Sequence, residues 1–419
     1  MLPLFKEYIS FLNEKTNNKL DFLKEGYYWY DNSIIKAYDI FGAVNKIARI
    51  KIDDDLNLDV NIYSNQILLL ESWNETASRH SDRLSKLETE SLNLIKKYKS
   101  EFSDRRLAIL SSGGKDSSVV SHITRKHNSD VEIIFNNTSL DCADTYLHIQ
   151  KEKNLKIINP KEGFYQWRDR LNFIPTRFAR ACCNIFKESS MVEALDSSSK
   201  YLFCMGMRNE ESSTRKDYKD KWKNEKWSNM EWDAILPIRK WTELDVWLYI
   251  LKEGISINPK YKKGYSRVGC AISCPFYSKS TWILDKYWYP KMKERWDKIL
   301  IEDFRKNNKD LIMNCTEKEY LTCWNGGPLR DTPTDEVISQ FASRNGLDYN
   351  IAKKYFGHKC SECNKPIKHK DTIAMNLKFN GRNATTMFCK KHLIEALNID
   401  NSQWDYMCNT FKGQGCELF

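Results

Sequence analysis

No stretch of this 419-residue chain stays apolar for the ~18 residues that a membrane-crossing helix needs. No membrane partner is therefore expected. The opening MLPLFKEYISFLNEK carries acids early and has no small-residue cleavage site, so no signal peptide is read there and a cytosolic location is expected. Internal repeats and low-complexity tracts are also missing. A disulfide framework is disfavoured, because the thirteen cysteines are an odd number in a chain expected in the cytosol; thiols, metals or clusters fit better. What remains is 41% hydrophobic and 29% charged, the profile of a globular protein of two or three domains. A formal net charge of +10 favours acidic partners, nucleic acid or nucleotides, over a merely solvated basic surface by no decisive margin.

Residues 1–104 read as a mixed segment. SIIKAYDIFGAVNKIARIKI and LNLDVNIY alternate as strands do, and one long polar helix follows over about 72–102. From residue 107 the rhythm becomes strand, turn, helix: LAIL, SVVSHITRKH, VEIIFNNTS, CADTYLHIQKEK, LKIINP, MVEAL, YLFCMGMR. That alternation predicts an α/β domain over 105–280, a parallel sheet with helices on both faces, with ligands beyond the carboxyl ends of the strands. Residues 216–233 read as a charged, Trp-rich loop. WTELDVWLYIL reads as a helix with Thr242 as N-cap and with Val246 and Trp247 in the core. Residues 281–354 form a helical extension, and 355–419 a Cys-rich module.

Between LAIL and the next helix lies SSGGKDSS. Gly113 and Gly114 let the backbone approach a phosphate, and the helix behind them points N–H groups at it. Ser111, Ser112, Ser117 and Ser118 add hydroxyls, and Lys115 adds positive charge. A carboxylate, Asp116, repels a phosphate unless a cation intervenes, which suits Mg²⁺. The pattern is not a Walker A loop.

These residues resemble the PP-loop of the ATP pyrophosphatases, and the order of segments over 105–280 resembles the phosphoadenosine phosphosulfate (PAPS) reductase family. SGGKDS at 112–117 stands for the loop itself. NTSLDCADTY follows, with Asn137 where the family has Asp. Then come RACCNIFKE (180–188), GMRNEESSTR (206–215), PIRKWTELDVWLYI and NPKYKKGYSRVGCAISCP. The resemblance implies an adenine nucleotide alpha hydrolase-like fold and an adenine nucleotide ligand, ATP or PAPS. It implies nucleotide binding by Ser111, Ser112, Gly113, Gly114, Lys115, Asp116, Ser117 and Ser118, with Gly206, Arg208, Glu211, Ser212 and Arg215 on the second arm. Lys115, Asp116 and Arg208 are the implied catalytic residues. Guanidinium forks such as Arg208 and Arg215 fit phosphate or sulfate, or else form surface salt bridges.

Cys182 and Cys183, with Cys270 and Cys274, offer four thiolates from two segments. They suit a 4Fe–4S cluster, as some family members carry; buried small hydrophobes and a zinc site stay open as alternatives. The family's reductases have Cys-x-x-Cys where this chain has Cys-x-x-x-Cys. Cys142 and Cys204 read as packing. Near the C-terminus, Cys360 and Cys363, then Cys389 and His392, form paired knuckles for Zn²⁺, with the residues between them expected as a hairpin in a zinc-ribbon-like module. His358 is a spare ligand. The exposed NGRN and CKK stretches of this module leave nucleic acid as a candidate partner. Cys416, in GQGCELF, is a weak counterpart of the reductases' C-terminal nucleophile.

Because Gly113, Gly114, Lys115 and Asp116 are all present, where the family's sulfonucleotide reductases usually have a degenerate loop, the resemblance implies ATP cleavage between the α and β phosphates, with pyrophosphate release, in sulfur transfer or nucleic-acid modification. A thiol-dependent reductase of PAPS or adenylylsulfate is one alternative. A non-catalytic, nucleotide-regulated nucleic-acid-binding protein is the other. The oligomeric state is not legible.

Overall fold

A computed structural model describes residues 1–53, 57–64, 69–177, 179, 181–196, 198–270, 272–307, 309–325, 333–367, 369–381, 384, 386–416 and 418–419. Leu56, Arg180, Ala271, Arg382, Asn383 and Glu417 of the segments quoted above lie outside them. The chain divides into two compact units, Met1–Pro175 with Ala179–Met292, and Thr176–Phe178 with Lys293–Phe419.

The first unit holds two sheets. Strands β1 (Leu2–Pro3), β2 (Tyr28–Asp31), β3 (Ile34–Tyr38), β4 (Val44–Ile52) and β5 (Leu58–Ile62) pair antiparallel in chain order. Their inward residues Ile35, Ala37, Ile47, Ala48 and Ile50 bury against Tyr8, Ile9, Phe11 and Leu12 of helix Lys6–Lys15. The long helix expected over 72–102 is two helices, Trp73–Arg79 and Ser81–Glu101, separated at His80. Ser72 and Glu75 close a capping box on the first, Ser72 Oγ accepting from the Glu75 N–H at 3.2 Å and Glu75 Oε2 from the Ser72 N–H at 2.7 Å. Arg83, on the second, grips Asp245 with both arms at 2.7 and 2.8 Å.

The second sheet is built from β6 (Arg106–Ser111), β7 (Glu132–Asn136), β8 (Leu155–Ile158), β9 (Tyr201–Met205), β10 (Lys221–Trp222) and β11 (Trp232–Ile235), in the order β10-β11-β9-β6-β7-β8. All neighbours are parallel except β10, which runs antiparallel to β11. The expected α/β sheet is thus present. The stretch expected as a loop over 216–233 contributes the edge strand β10 and the start of β11. Its Trp232 is fully buried and its Trp227 nearly so, so tryptophans that break the local period are core residues here. Strand order runs outward from β6 in both directions, towards β7 on one side and β9 on the other. The crevice between the ends of β6 and β9 is the topological switch point where open α/β sheets bind ligands.

Helix Glu243–Glu253 begins at Thr242, whose Oγ1 accepts from the Asp245 N–H at 3.1 Å. Val246 and Trp247 are fully buried. The second unit is helical apart from one β-bridge, Lys359 with Pro366, among its described residues. The segment expected as a hairpin there is helix Lys370–Phe379. Its residues Thr372 to Leu377 are all buried, and an all-round buried helix shows neither the alternation of a strand nor a single apolar stripe.

Candidate active site

The loop after β6 is held by its own hydroxyls. Gly113, at φ +68, takes a left-handed turn that side-chain-bearing residues resist. Its N–H donates to Ser111 Oγ at 3.1 Å, and the Gly114 N–H donates to Ser117 Oγ at 3.1 Å. The Lys115 N–H donates to the Tyr261 hydroxyl at 3.0 Å. Ser117 and Ser118 both donate to the Gly114 carbonyl, at 2.8 and 3.2 Å. Three amides expected to face a phosphate therefore have neutral hydroxyl partners. Asn258 adds a clamp from another segment, its Nδ2 donating to Gly113 O at 3.2 Å and Thr145 Oγ1 at 3.1 Å.

From β9 the chain returns to the same point. Gly206 lies against the start of helix Lys115–His127 so closely that a Cβ would stand 2.7 Å from the Asp116 carbonyl carbon. Two residues on, Arg208 Nε donates to Asp116 Oδ1 at 2.6 Å, while Lys115 Nζ holds Asp116 Oδ2 at 2.9 Å. Lys115 and Arg208 are only 5% and 4% exposed. Burial works against ionisation of Asp116, but Lys115 and Arg208 overcome it and hold the carboxyl below its usual range. Burial likewise depresses Lys115, and Tyr261, Asp116 and Glu243 together leave its pKa raised. Glu210 accepts from Arg208 at 2.9 Å and from the Glu243 N–H at 2.6 Å; Glu243 lies 3.5 Å from Lys115 Nζ. Glu211 caps the arm by accepting from the Arg208 N–H at 3.3 Å and pairs with Arg215. Ser212 Oγ bonds Thr214 Oγ1 at 3.0 Å, and Ser112 is exposed. The arrangement is a half-buried carboxylate between two buried cations, ringed by exchangeable hydroxyl and carboxylate partners.

The two cysteine segments come together in the same unit. Cys183, burial, and then Cys270 and Cys274 all raise the pKa of Cys182. Burial raises that of Cys270, whose thiol lies 4.0 Å from Thr138 Oγ1. Lys187 feels Cys270 most, then Cys183 and Cys274, and its pKa is raised. The Cys-Cys pair is followed directly by a π-helical turn, Asn184–Ser189, a form frequent at functional sites. On the other segment Ile272 stands at φ +52 and Gly269 at φ +115; a β-branched residue in that region is strained. Cys142 and Cys204 are buried core thiols.

Residues 106–275 match the family model described as phosphoadenosine phosphosulfate reductase domain. The chain carries a PAPS reductase domain. It is 31% identical over 265 residues to an uncharacterized protein of Methanocaldococcus jannaschii, covering 62% of each chain. It is 28% identical over 190 residues to an adenosine 5'-phosphosulfate reductase of Bacillus cereus, covering 42% of this chain and 74% of that one. To sulfate adenylyltransferase subunit 2 of Pseudomonas fluorescens it is 28% identical over 209 residues, covering 42% and 66%. The chain thus spans less than two thirds of the archaeal relative's length.

Outside the PAPS reductase domain, the second unit gathers Cys360, Cys363, Cys389 and His392, whose ligand atoms all lie within 4.8 Å of one another. Among the described residues this is the one group of Cys, His, Asp or Glu that converges so tightly. Cys360 Sγ lies 3.1 Å from His392 Nδ1, and Cys363 Sγ 3.9 Å from Cys389 Sγ. Three sulfurs and one nitrogen are the donor set of a tetrahedral soft-metal site. Fully buried Asn376 braces it: Nδ2 donates to the Phe388 carbonyl and Oδ1 accepts from the Phe388 N–H, both at 2.8 Å. His358 is not part of the converging set. Cys416 packs at the edge of a hydrophobic cluster with Leu418 and Phe419.

Tyr261, Asn258, Thr145, Glu210 and Glu243 were not among the candidate site residues. The Asn-Pro-x-Tyr and Trp-Thr-Glu segments were visible as motifs, but nothing in their spacing said that they touch the loop. No helix of the described residues is long and apolar enough to cross a membrane.

Proposed function

We propose that the PAPS reductase domain binds ATP and cleaves it between the α and β phosphates, releasing pyrophosphate and activating an acceptor for sulfur transfer. The observation that carries this reading is the convergence of buried Lys115 and Arg208 on Asp116 at the switch point. Two cations held out of water favour a multiply charged anion, and positive charge aimed at the leaving group acts where charge develops in the transition state. Lys115 and the loop amides grip the departing diphosphate, trading hydroxyl partners for phosphate oxygens. Asp116, released from its cations by the anion, holds Mg²⁺. Arg208 and Arg215 clamp the nucleotide from the β9 side. Ser111, Ser112, Ser117, Ser118, Glu211 and Ser212 shape the two arms.

Cys182, Cys183, Cys270 and Cys274 are the proposed ligands of a 4Fe–4S cluster. A cubane needs its four thiolates wider apart than a single ion does, which agrees with a quartet that senses itself electrostatically without the tight convergence of the C-terminal set. Cys360, Cys363, Cys389 and His392 are the proposed Zn²⁺ ligands.

The relative named adenosine 5'-phosphosulfate reductase favours a second reading, reduction of a sulfonucleotide with Cys416 as nucleophile. Incubation with α-labelled ATP, PAPS and adenylylsulfate side by side separates the two. AMP or an adenylate with pyrophosphate supports the first. Sulfite without pyrophosphate, abolished by Cys416→Ser, supports the second and overturns the first.

A further inference from the structure

Two cavities lie side by side on the first unit, of about 350 and 500 Å³, and Tyr98, Asp220 and Arg239 line both. One continues along Lys97 of helix Ser81–Glu101 to Lys240; the other runs along Lys216, Tyr218 and Lys219. The floor is fixed: Trp241 Nε1 donates to Ser91 Oγ at 3.2 Å, and Ser91 Oγ donates to Pro237 O at 2.8 Å. Arg239 is oriented by Asp220, at 2.8 Å from Nε and 2.7 Å from its terminal nitrogen. Lys97, Lys216, Lys219 and Lys240 have no carboxylate partner among the described residues, against two similarly unpaired acids, Glu90 and Asp217. Two aromatic rings stand half-buried in the walls, Tyr98 stacked on Phe102 and Tyr218 stacked on Trp222.

The groove is joined to the candidate active site by backbone. The Asn209 N–H, next to Arg208, donates to Arg239 O at 2.9 Å, and the Tyr218 N–H donates to Arg215 O at 3.2 Å. We propose that this groove binds a single-stranded nucleic-acid segment and leads it to the arm bearing Arg208 and Arg215. Unpaired lysines along a channel match a phosphodiester backbone. Half-buried rings offer stacking faces that unpaired bases use and that a duplex withholds. An acidic peptide would satisfy the lysines and leave the rings idle. The binding half of the proposal stands by itself; the delivery half rests on the ATP reading above.

The test is fluorescence anisotropy with the full chain, without ATP, against labelled single-stranded RNA and DNA of one sequence, across a salt series. Binding is expected to weaken with salt. In Lys216→Gln/Lys219→Gln/Lys240→Gln the log–log salt slope is expected to flatten by about 2, since each phosphate contact on a single strand contributes about 0.7. Tyr98→Ala and Tyr218→Ala are expected to lose about tenfold in affinity with the slope unchanged. Preference for RNA or for DNA supports the groove either way and names the acceptor chemistry. Wild-type affinity and slope in the triple variant, equal binding of a duplex, or equal competition by polyglutamate overturns it. Circular dichroism melts check that the variants fold. Hydrolysis of ATP to AMP and pyrophosphate, with water taking the adenylyl group, is expected to be unchanged in the triple variant and keeps the two proposals apart. Release without nucleic-acid binding sinks the groove and leaves the ATP reading; binding without release does the reverse.

Discussion

Gly206 shows how little room single positions have at this site. Any side chain there meets the Asp116 backbone at 2.7 Å, and backbone cannot step aside as a flexible side chain can. Gly206→Ala is expected to destabilise the first unit by about 1–3 kcal/mol and to abolish ATP binding, read by thermal melting and calorimetry. Asp116→Asn keeps the shape and removes the charge between Lys115 and Arg208; the chain is expected to fold, with pyrophosphate release lost. The pH sign follows from the lowered carboxyl. Its ionised form stabilises the fold fully above the ordinary carboxylate value of 3.8, and that contribution fades as pH falls through the lower, folded value. The stability gap between wild type and Asp116→Asn is therefore expected to be flat at neutral pH and to close only in strong acid, as denaturant titrations at several pH values would show. Tyr261→Phe leaves the Lys115 N–H without its acceptor, at a cost of about 1–3 kcal/mol. A bound phosphate would repay that loss, so ATP is expected to raise the melting temperature of Tyr261→Phe by more than that of wild type.

Elements differ in how openly the sequence declared them. Strand β6, the Gly-Gly turn and helix Lys115–His127 were legible because apolar runs stop sharply at residues with few other uses. Strand β10 and the start of β11 were hidden by lysines and tryptophans that belong to an edge strand and a buried strand. Helix Lys370–Phe379 was mistaken for a hairpin because it is covered on every side and so lacks a stripe. Tyr261 reaches Lys115 across 146 positions, a distance at which local pattern says nothing; the loop could be read, its brace could not. The cysteine quartet shows the same divide, since its residues were named from spacing but the π-turn and the strained Ile272 beside them were not foreseen. If these elements carry a cluster, anaerobically purified protein is expected to hold about four irons, with Cys270→Ser losing the iron and keeping the C-terminal metal, as elemental analysis would show.

At the scale of the whole molecule, two units with separate cores imply separate responses to ligands. The PAPS reductase domain is expected to gain stability from ATP, and the second unit from Zn²⁺ at the proposed Cys360, Cys363, Cys389 and His392 site, because whatever binds only the folded form stabilises it. Calorimetry of the full chain is expected to resolve two transitions. A chelator should lower the one belonging to the second unit, and ATP with Mg²⁺ should raise the other.

Asn376 adds something about the order of events. By bonding both polar groups of Phe388, its amide imitates a neighbouring strand for the one residue that precedes Cys389. One side of the proposed metal site is thereby braced by the chain itself. On the other side the Ser361 N–H donates to Met387 O at 2.9 Å and the Cys360 N–H to Lys365 O at 2.8 Å, so chelator-treated protein is expected to guard the Phe388 and Ser361 amides alike from hydrogen exchange.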